Sequence, residues 1–419
     1  MNLALLVAAV GVAIGLVGLP LTWANWKRGR SDRTSGRFVR ISEHVHGQQA
    51  HLHARAWSGV RPEWANDEVP MLTCKGWILP APISVEAIRL DWDDNPPITD
   101  QSNVARIRAR KLMPQRNDGD RYPTYSDALV QLTGRSHLYD GYLYRPISIN
   151  TTADTLRIRF TQGRYFDHLD TTEVLAFEAA SRDLAGRGSL EGSYRRWLSD
   201  PFDLTRRSTG LGTVTLTIRV DAGRAGFYMH KRDAARVVVG PGVVHTIPAG
   251  EFTPSDIGLD AMRADFDLWR TVMREFAEEF LDVEEAYGRG GRPLDYEHDW
   301  PFDKLTRARA TGQIRPYVLG IGLDALTWKP ELLLVCLIDG PAFDAIFATM
   351  TSSGREGTII VGPHGHGIPF DFTNISNYVR DSNTRGAAKA CLNLAWRHRA
   401  LLGLSDDEQS PPTTADRSL

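Results

Sequence analysis

Cysteine is scarce in this chain. Its 419 residues include three, Cys74, Cys336 and Cys391. They stand far apart and form neither a CxxC pair nor a zinc pattern, which suggests a reducing compartment. An excess of one charge is lacking as well. Lys and Arg number 49 against 51 Asp and Glu, a net charge of −2 with a pI near 6.6. That balance gives no electrostatic case for broad nucleic-acid binding. The first 26 residues lack charged side chains altogether, Lys27 being the first. A signal peptide carries a basic region ahead of its apolar run, and none exists here; no A-x-A cleavage site follows either.

What stands there instead is "LALLVAAVGVAIGLVGL" (3–19), an uninterrupted apolar run. A helix of about 24 residues spans roughly 36 Å, enough for a bilayer core of about 30 Å. Trp23 and Trp26 fall where an interfacial aromatic belt lies. Residues 1–26 are therefore expected to be a transmembrane helix. Lys27, Arg28, Arg30, Arg33, Arg37 and Arg40 follow, against Asp32 alone. The positive-inside rule then puts the N-terminus outside and the bulk of the chain in the cytoplasm, as a single-pass protein of the inner membrane. Ala4, Ala8, Gly11, Gly15 and Gly18 recur at steps of four and three. Such a small-residue face allows close helix approach, so Gly11, Gly15 and Gly18 are candidates for self-association.

After a basic linker expected over 27–40, residues 41–205 read as a mixed α+β region without a chemistry-bearing motif. "DTLRIRFTQ" (154–162) alternates with Leu156, Ile158 and Phe160 on one face, and 170–185 reads as a capped helix. His44, His46, His51 and His53 invite a metal reading, but no Cys or carboxylate set completes a site, and a surface strand is the plainer expectation. From 206 onward, "GTVTLTIRV", "GFYMHKRD", "ARVVVG" and "VVHTIP" are strand candidates in quick succession. "QIRPYVLGIGLD" (313–324) and "ELLLVCLID" (331–339) return to strand character after a long helix, and helices close the chain. Strands on both sides of a central helix predict an α/β domain over 206–404, with helices on both faces of a sheet. The polar tail 405–419 is expected to be disordered.

The central helix carries the chemistry. Leu259, Met262, Phe266, Trp269, Met273, Phe276 and Phe280 step by three and four, predicting one amphipathic helix from about 259 to 282. At about 100° per residue, Glu275, Glu279 and Asp282 lie on the flank of the apolar stripe. None of the three has a Lys or Arg at ±3 or ±4. Half-buried carboxylates so placed raise their pKa or recruit a cation, and hard oxygen ligands favour Mg²⁺ or Mn²⁺.

"HTIPAGEF" (245–252) followed by "REFAEEF" (274–280) resembles the Nudix box, G-x5-E-x7-R-E-U-x-E-E-x-G-U, with U a bulky apolar residue. The resemblance implies an α/β/α sandwich and cleavage of nucleoside diphosphates linked to another moiety. Gly250 matches the opening glycine and Asp256 stands for the first glutamate. Arg274, Glu275, Phe276, Glu278 and Glu279 fill the R-E-U-x-E-E positions. It implies that Glu275, Glu278 and Glu279 bind Mg²⁺ or Mn²⁺ and that Arg274 orients them. The chain departs in three places: the spacer between Asp256 and Arg274 is ten residues longer than the motif's, Leu281 replaces a glycine and Asp282 an apolar residue. Arg289 and Arg292 in "YGRGGRP" are candidate phosphate contacts, the alternative being a plain helix end. The order of a membrane helix and a Nudix-like domain further resembles membrane effectors of cyclic-oligonucleotide antiphage systems. That resemblance implies a nucleotide or cyclic oligonucleotide as ligand.

Overall fold

The computed structural model describes residues 31–404 apart from 67, 136–137, 153–154, 233–242, 257, 284–292, 351–352, 354–356 and 363–364. The apolar run with Gly11, Gly15 and Gly18 lies outside the described residues, as do Arg289, Arg292 and the tail. Among the described residues, no helix is long and apolar enough to cross a membrane.

The chain is mixed α/β. The elements used below are, in chain order, α1 (31–47), α2 (Gln49–Ser58), β1 (Ile78–Ser84), β2 (Ile88–Trp92), α3 (Ser102–Ala109), α4 (Tyr125–Thr133), β3 (Tyr142–Thr151) and β4 (Leu156–Arg164). A helical stretch over 165–184, here α5, contains a π turn at Leu169–Glu173. Then come β5 (Gly212–Asp221), β6 (Arg224–Phe227), β7 (Met229–Arg232), β8 (Val244–Thr246), β9 (Ala249–Glu251), α6 (Leu259–Ala264), α7 (Leu268–Leu281) and α8 (Phe302–Ala310). The last are β10 (Ile314–Leu323), β11 (Pro330–Asp339), α9 (Gly340–Ile346), β12 (Gly357–Ile360), β13 (Ile368–Pro369), α10 (Phe372–Arg380) and α11 (Gly386–Arg397).

Seven strands form the main sheet, in the order β1-β10-β11-β5-β6-β13, with β9 also pairing with β5. The β11–β5 pair is parallel and its neighbours are antiparallel. "ELLLVCLID" explains why β11 is central. Leu332, Leu334, Cys336 and Ile338 enter the core on one face, and Leu333, Val335 and Leu337 enter the core on the other. A strand buried on both faces reads as a continuous apolar run rather than an alternating one. The first face is covered by α7, α8 and α9 with the N-terminal helices; the second is covered by α10 and α11. Ala387, Ala388, Ala390 and Cys391 let α11 come close to the sheet, and the Cys391 thiol reaches the Val214 carbonyl at 3.5 Å. The fold class is thus a sheet with helices on both faces.

Four expectations change. Residues 31–40 are not linker but the start of α1, because Phe38, Ile41 and Val45 recur at helical spacing and are all buried. The histidines at 44, 46, 51 and 53 stand on α1 and α2 rather than on a surface strand. Sheet strand β1 comes from before residue 206, so the sheet is not confined to 206–404. The helix expected over 259–282 is two helices. Asp267 accepts the Arg270 N–H at 3.1 Å and starts α7 afresh. The buried Asp265 turns inward, taking the Ser255 N–H and hydroxyl at 2.7 and 2.5 Å and the Tyr296 hydroxyl at 2.7 Å. The long spacer is therefore folded: α6 and this carboxylate lie within it. Trp269, Val272, Met273, Phe276 and Phe280 still form the buried seam of α7. Each such side chain contributes roughly 1.5–3 kcal/mol on burial.

Candidate functional site

A cavity of about 470 Å³ opens where α1, α4 and α5 meet the first residues of β5 and β11. β9 and α7 close another side. The cavity wall carries four carboxylates, Glu173, Glu251, Glu279 and Glu331, and four imidazoles, His46, His168, His230 and His245. Three cations, Arg135, Lys329 and Arg385, accompany them. Such a density of ionisable groups in one half-buried space marks it as the candidate site.

At its floor is a cross-strand row. Gly212 of β5 stands opposite Glu331 of β11 on one side and Glu251 of β9 on the other. A Cβ at Gly212 would overlap the Glu331 carboxylate, so glycine makes room for it. Lys329 bridges the row, its ammonium 2.5 Å from Glu251 Oε2 and 3.7 Å from Glu331 Oε1. Burial works against that ammonium, but Glu251 and Glu331 outweigh it and hold the amine above its ordinary pKa. Lys329 is thus a fixed cation rather than a nucleophile. The near partner takes the ion pair. Burial pushes the farther carboxyl, Glu331, up to about 7, despite the Lys329 charge. Near neutral pH it can give or accept a proton.

A second group stands on α5. The Gly210 N–H donates to His168 Nδ1 at 3.1 Å, so that nitrogen is the acceptor and the ring proton is on Nε2. Nε2 faces Glu173 Oε1 at 3.4 Å. Burial would raise the Glu173 carboxyl, but His168 and then Lys329 outweigh it and keep it below its usual range. Burial lowers the pKa of His46 to about 4, with Arg135 adding to the effect, so His46 is neutral at pH 7. The π turn places Leu169 and Glu173 on the cavity side. Wide turns of this kind are frequent at functional sites.

A third group positions Arg385 at the start of α11. Its guanidinium donates to His53 Nε2 at 2.6 Å and to Gln49 Oε1 at 3.3 Å. His53 Nδ1 in turn faces Asp324 Oδ2 at 3.0 Å. The imidazole accepts from the arginine and donates to the carboxylate, which sets its tautomer.

The residues expected from sequence are partly brought here. Gly250 and Glu279 line the cavity. The Ala249 N–H donates to Glu279 Oε2 at 3.3 Å, and a Cβ at Gly250 would overlap the Glu275 carboxylate. The acidic flank of α7 is therefore seated on the backbone of β9. Arg274 is buried and donates to the Thr253 carbonyl at 2.5 Å and the Thr271 hydroxyl at 3.1 Å. Its contacts tie α7 to the loop after β9. Asp256 and Glu278 are half-buried and are not part of the cavity wall. Among the described residues, no group of three or more His, Cys, Asp or Glu is arranged to hold a metal ion. Of Glu275, Glu278 and Glu279, Glu279 is part of the cavity wall.

Sequence reading missed Lys329, Glu331, Glu251, Glu173, His168 and Arg385 as a group. They come from four separate stretches, His168 with Glu173, Glu251, Lys329 with Glu331, and Arg385, and no motif spacing connects the four. The local signal was "TGLGTV" (209–214), two glycines just before a buried strand. Close approach of other groups to a backbone requires such glycines. No protein-family model matches the chain, and no curated protein matches its sequence.

Proposed function

We propose that the chain is a membrane-anchored, Nudix-like protein that binds a nucleotide or cyclic oligonucleotide in this cavity, as an effector of bacterial antiviral nucleotide signalling. One observation carries the reading: Glu275 and Glu279 of α7 are seated on the Ala249–Gly250 backbone. Contact between the Gly250 strand and the glutamates of α7 supports the motif reading, the longer spacer notwithstanding. The mixed wall supports it too. Arg135 and Arg385 suit phosphate oxygens, whereas carboxylates and imidazoles suit the donors and acceptors of a base. A wall of four carboxylates is poorly suited to a bare polyanion.

The test is calorimetric titration of the full chain in detergent with nucleoside diphosphate derivatives and cyclic oligonucleotides. Arg385→Ala is expected to weaken binding at least about tenfold, the scale of one charge-assisted contact. Binding unchanged in both Arg385→Ala and Gly250→Val places the ligand elsewhere and removes the proposal. The effector role further expects a nucleotide cyclase-like gene beside this one. It also expects loss of phage protection in the Gly11→Leu/Gly15→Leu double variant, since residues 3–19 are read as the anchor.

Glu279 at the cavity favours a second reading, hydrolysis of nucleoside diphosphate derivatives with Mg²⁺ or Mn²⁺. Turnover that disappears in Glu279→Gln supports it. Binding without turnover across the panel leaves a non-enzymatic nucleotide sensor.

A further inference from the structure

We propose that α3, the turn after it and the loop through residue 121 form a docking face for an anionic lipid bilayer. The composition of this surface differs from that of the chain as a whole. Residues 106–121, "RIRARKLMPQRNDGDR", hold six Arg or Lys against two Asp, in a protein of net charge −2. Arg106 pairs with Asp167 at 3.1 Å and Arg116 with Asp118 at 2.6 Å. Arg108 lies over the Trp197 ring, 5.3 Å from its centroid. The side chains of Arg110 and Lys111 are exposed and make no hydrogen bond or ion pair among the described residues.

Apolar side chains stand among these cations. Val104 is 43% exposed and Ile107 67% exposed, one helical step of three apart, with Lys111 four further on. Ile98, just before α3, is wholly exposed. Eight large apolar side chains are exposed among the described residues, and three of them fall within 98–107. Cations that flank outward apolar side chains make a surface suited to the headgroup region of a bilayer. Nucleic acid would use the cations and leave Ile98, Val104 and Ile107 without a role.

The chain itself brings a bilayer to this face. Ser31, where the described residues begin, donates its hydroxyl to the Gln115 carbonyl at 2.9 Å. The Gln115 N–H donates to the Thr34 hydroxyl at 3.0 Å. The start of α1 is thus bound to the basic loop. Eleven residues separate Leu19, the end of the apolar run, from Ser31. Even fully extended they reach about 40 Å, and as helix about 17 Å. An apolar run lodged in a membrane therefore holds this face within reach of the lipid. The inference rests on the anchor reading of residues 3–19 for its geometry, while the surface chemistry stands by itself.

The full chain is reconstituted with vesicles of phosphatidylcholine alone and of phosphatidylcholine with phosphatidylglycerol. Hydrogen exchange over residues 98–112 and retention after alkaline extraction are then measured. Protection of 98–112 on the mixed vesicles and not on phosphatidylcholine alone is the expected result. Arg110→Glu/Lys111→Glu should weaken that protection about tenfold or more, since each cation near an anionic surface contributes appreciably. Ile107→Ser, at a site exposed in the fold, should weaken it as well. Retention without protection overturns the docking face and leaves the anchor standing. Protection without retention removes the anchor and leaves a peripheral lipid surface. Loss of both removes both. Protection by single-stranded RNA and not by vesicles overturns the lipid assignment.

Discussion

The ammonium of Lys329 lies 2.5 Å from the carboxylate of Glu251, across the gap that Gly212 leaves in the sheet. Glu331 stands on the far side of the same glycine at 3.7 Å. Two carboxylates and one cation thus share the floor of the cavity; the missing Cβ of Gly212 admits the Glu331 carboxylate, and that of Gly210 admits the Glu251 carboxylate. An ion pair in this position is a device for holding charge in place, and it stabilises the fold only if both partners stay.

Gly212→Ala is expected to displace the Glu331 carboxylate and destabilise the chain by about 1–3 kcal/mol, as overpacking of a filled site does. Urea denaturation at pH 7 measures it. Wild-type stability in this variant means that the floor relaxes freely and does not preorganise the cavity.

Two groups at the cavity give opposite pH dependences. The Glu331 carboxyl is raised to about 7 in the folded chain, above its unfolded value of about 4.5. The folded state then binds more protons between these values, so this group lowers stability as pH rises from about 4.5 to 7. Glu331→Gln should therefore gain stability over wild type across that window, and keep the gain above it. The His46 imidazole is lowered to about 4 from about 6.5. The unfolded state binds the extra proton, so His46→Gln should gain on wild type as pH falls from about 6.5 to 4. Difference curves of melting temperature against pH separate the two; flat curves for both variants contradict these environments.

Arg274 and Glu279 are neighbours in the sequence motif with separate expected roles. Arg274→Met removes a charge-assisted bond to the Thr253 carbonyl and should cost about 1.5–3 kcal/mol of stability. Glu279→Gln retains the shape of a side chain that lines the cavity, and should change nucleotide binding more than stability. Paired denaturation and titration of the two variants test the division. The reverse pattern would place Arg274 in the site and Glu279 in the framework.

Chelation addresses the metal. Of the three motif glutamates, Glu279 stands in the cavity wall, and the cavity holds its own cations, Arg135, Lys329 and Arg385. Nucleotide affinity is therefore expected to stay within about twofold when EDTA replaces Mg²⁺, a change of under about 0.5 kcal/mol. Loss of binding on chelation would mean that Glu279 gathers a metal with ligand in place.

Period and composition were sufficient for the elements that are buried continuously. The strands over 212–220 and 331–339, and the seam from Trp269 to Phe280, were legible because each repeats an apolar pattern that one geometry satisfies. The break at Asp265–Asp267 was not legible. The apolar period runs through it, and only the distant partners Ser255 and Tyr296 turn Asp265 inward. Likewise, the basic composition of 27–40 concealed the burial of Phe38, whose neighbours Tyr125 and Phe177 lie far away in the chain.

The sequence by itself determined the α/β class, the placement of acid on the flank of α7, and the glycine loop that meets it. These follow from local periodicity and from the steric freedom of glycine, and need no knowledge of distant residues. Only the tertiary structure decided which acid faces a cavity, and that Lys329, His168 and Arg385 face it too. Pairing of β9, β5 and β11 sets Glu251, Gly212 and Glu331 side by side, and burial then sets their charge states. Strand register and desolvation are properties of the assembled chain, and no spacing along it encodes them.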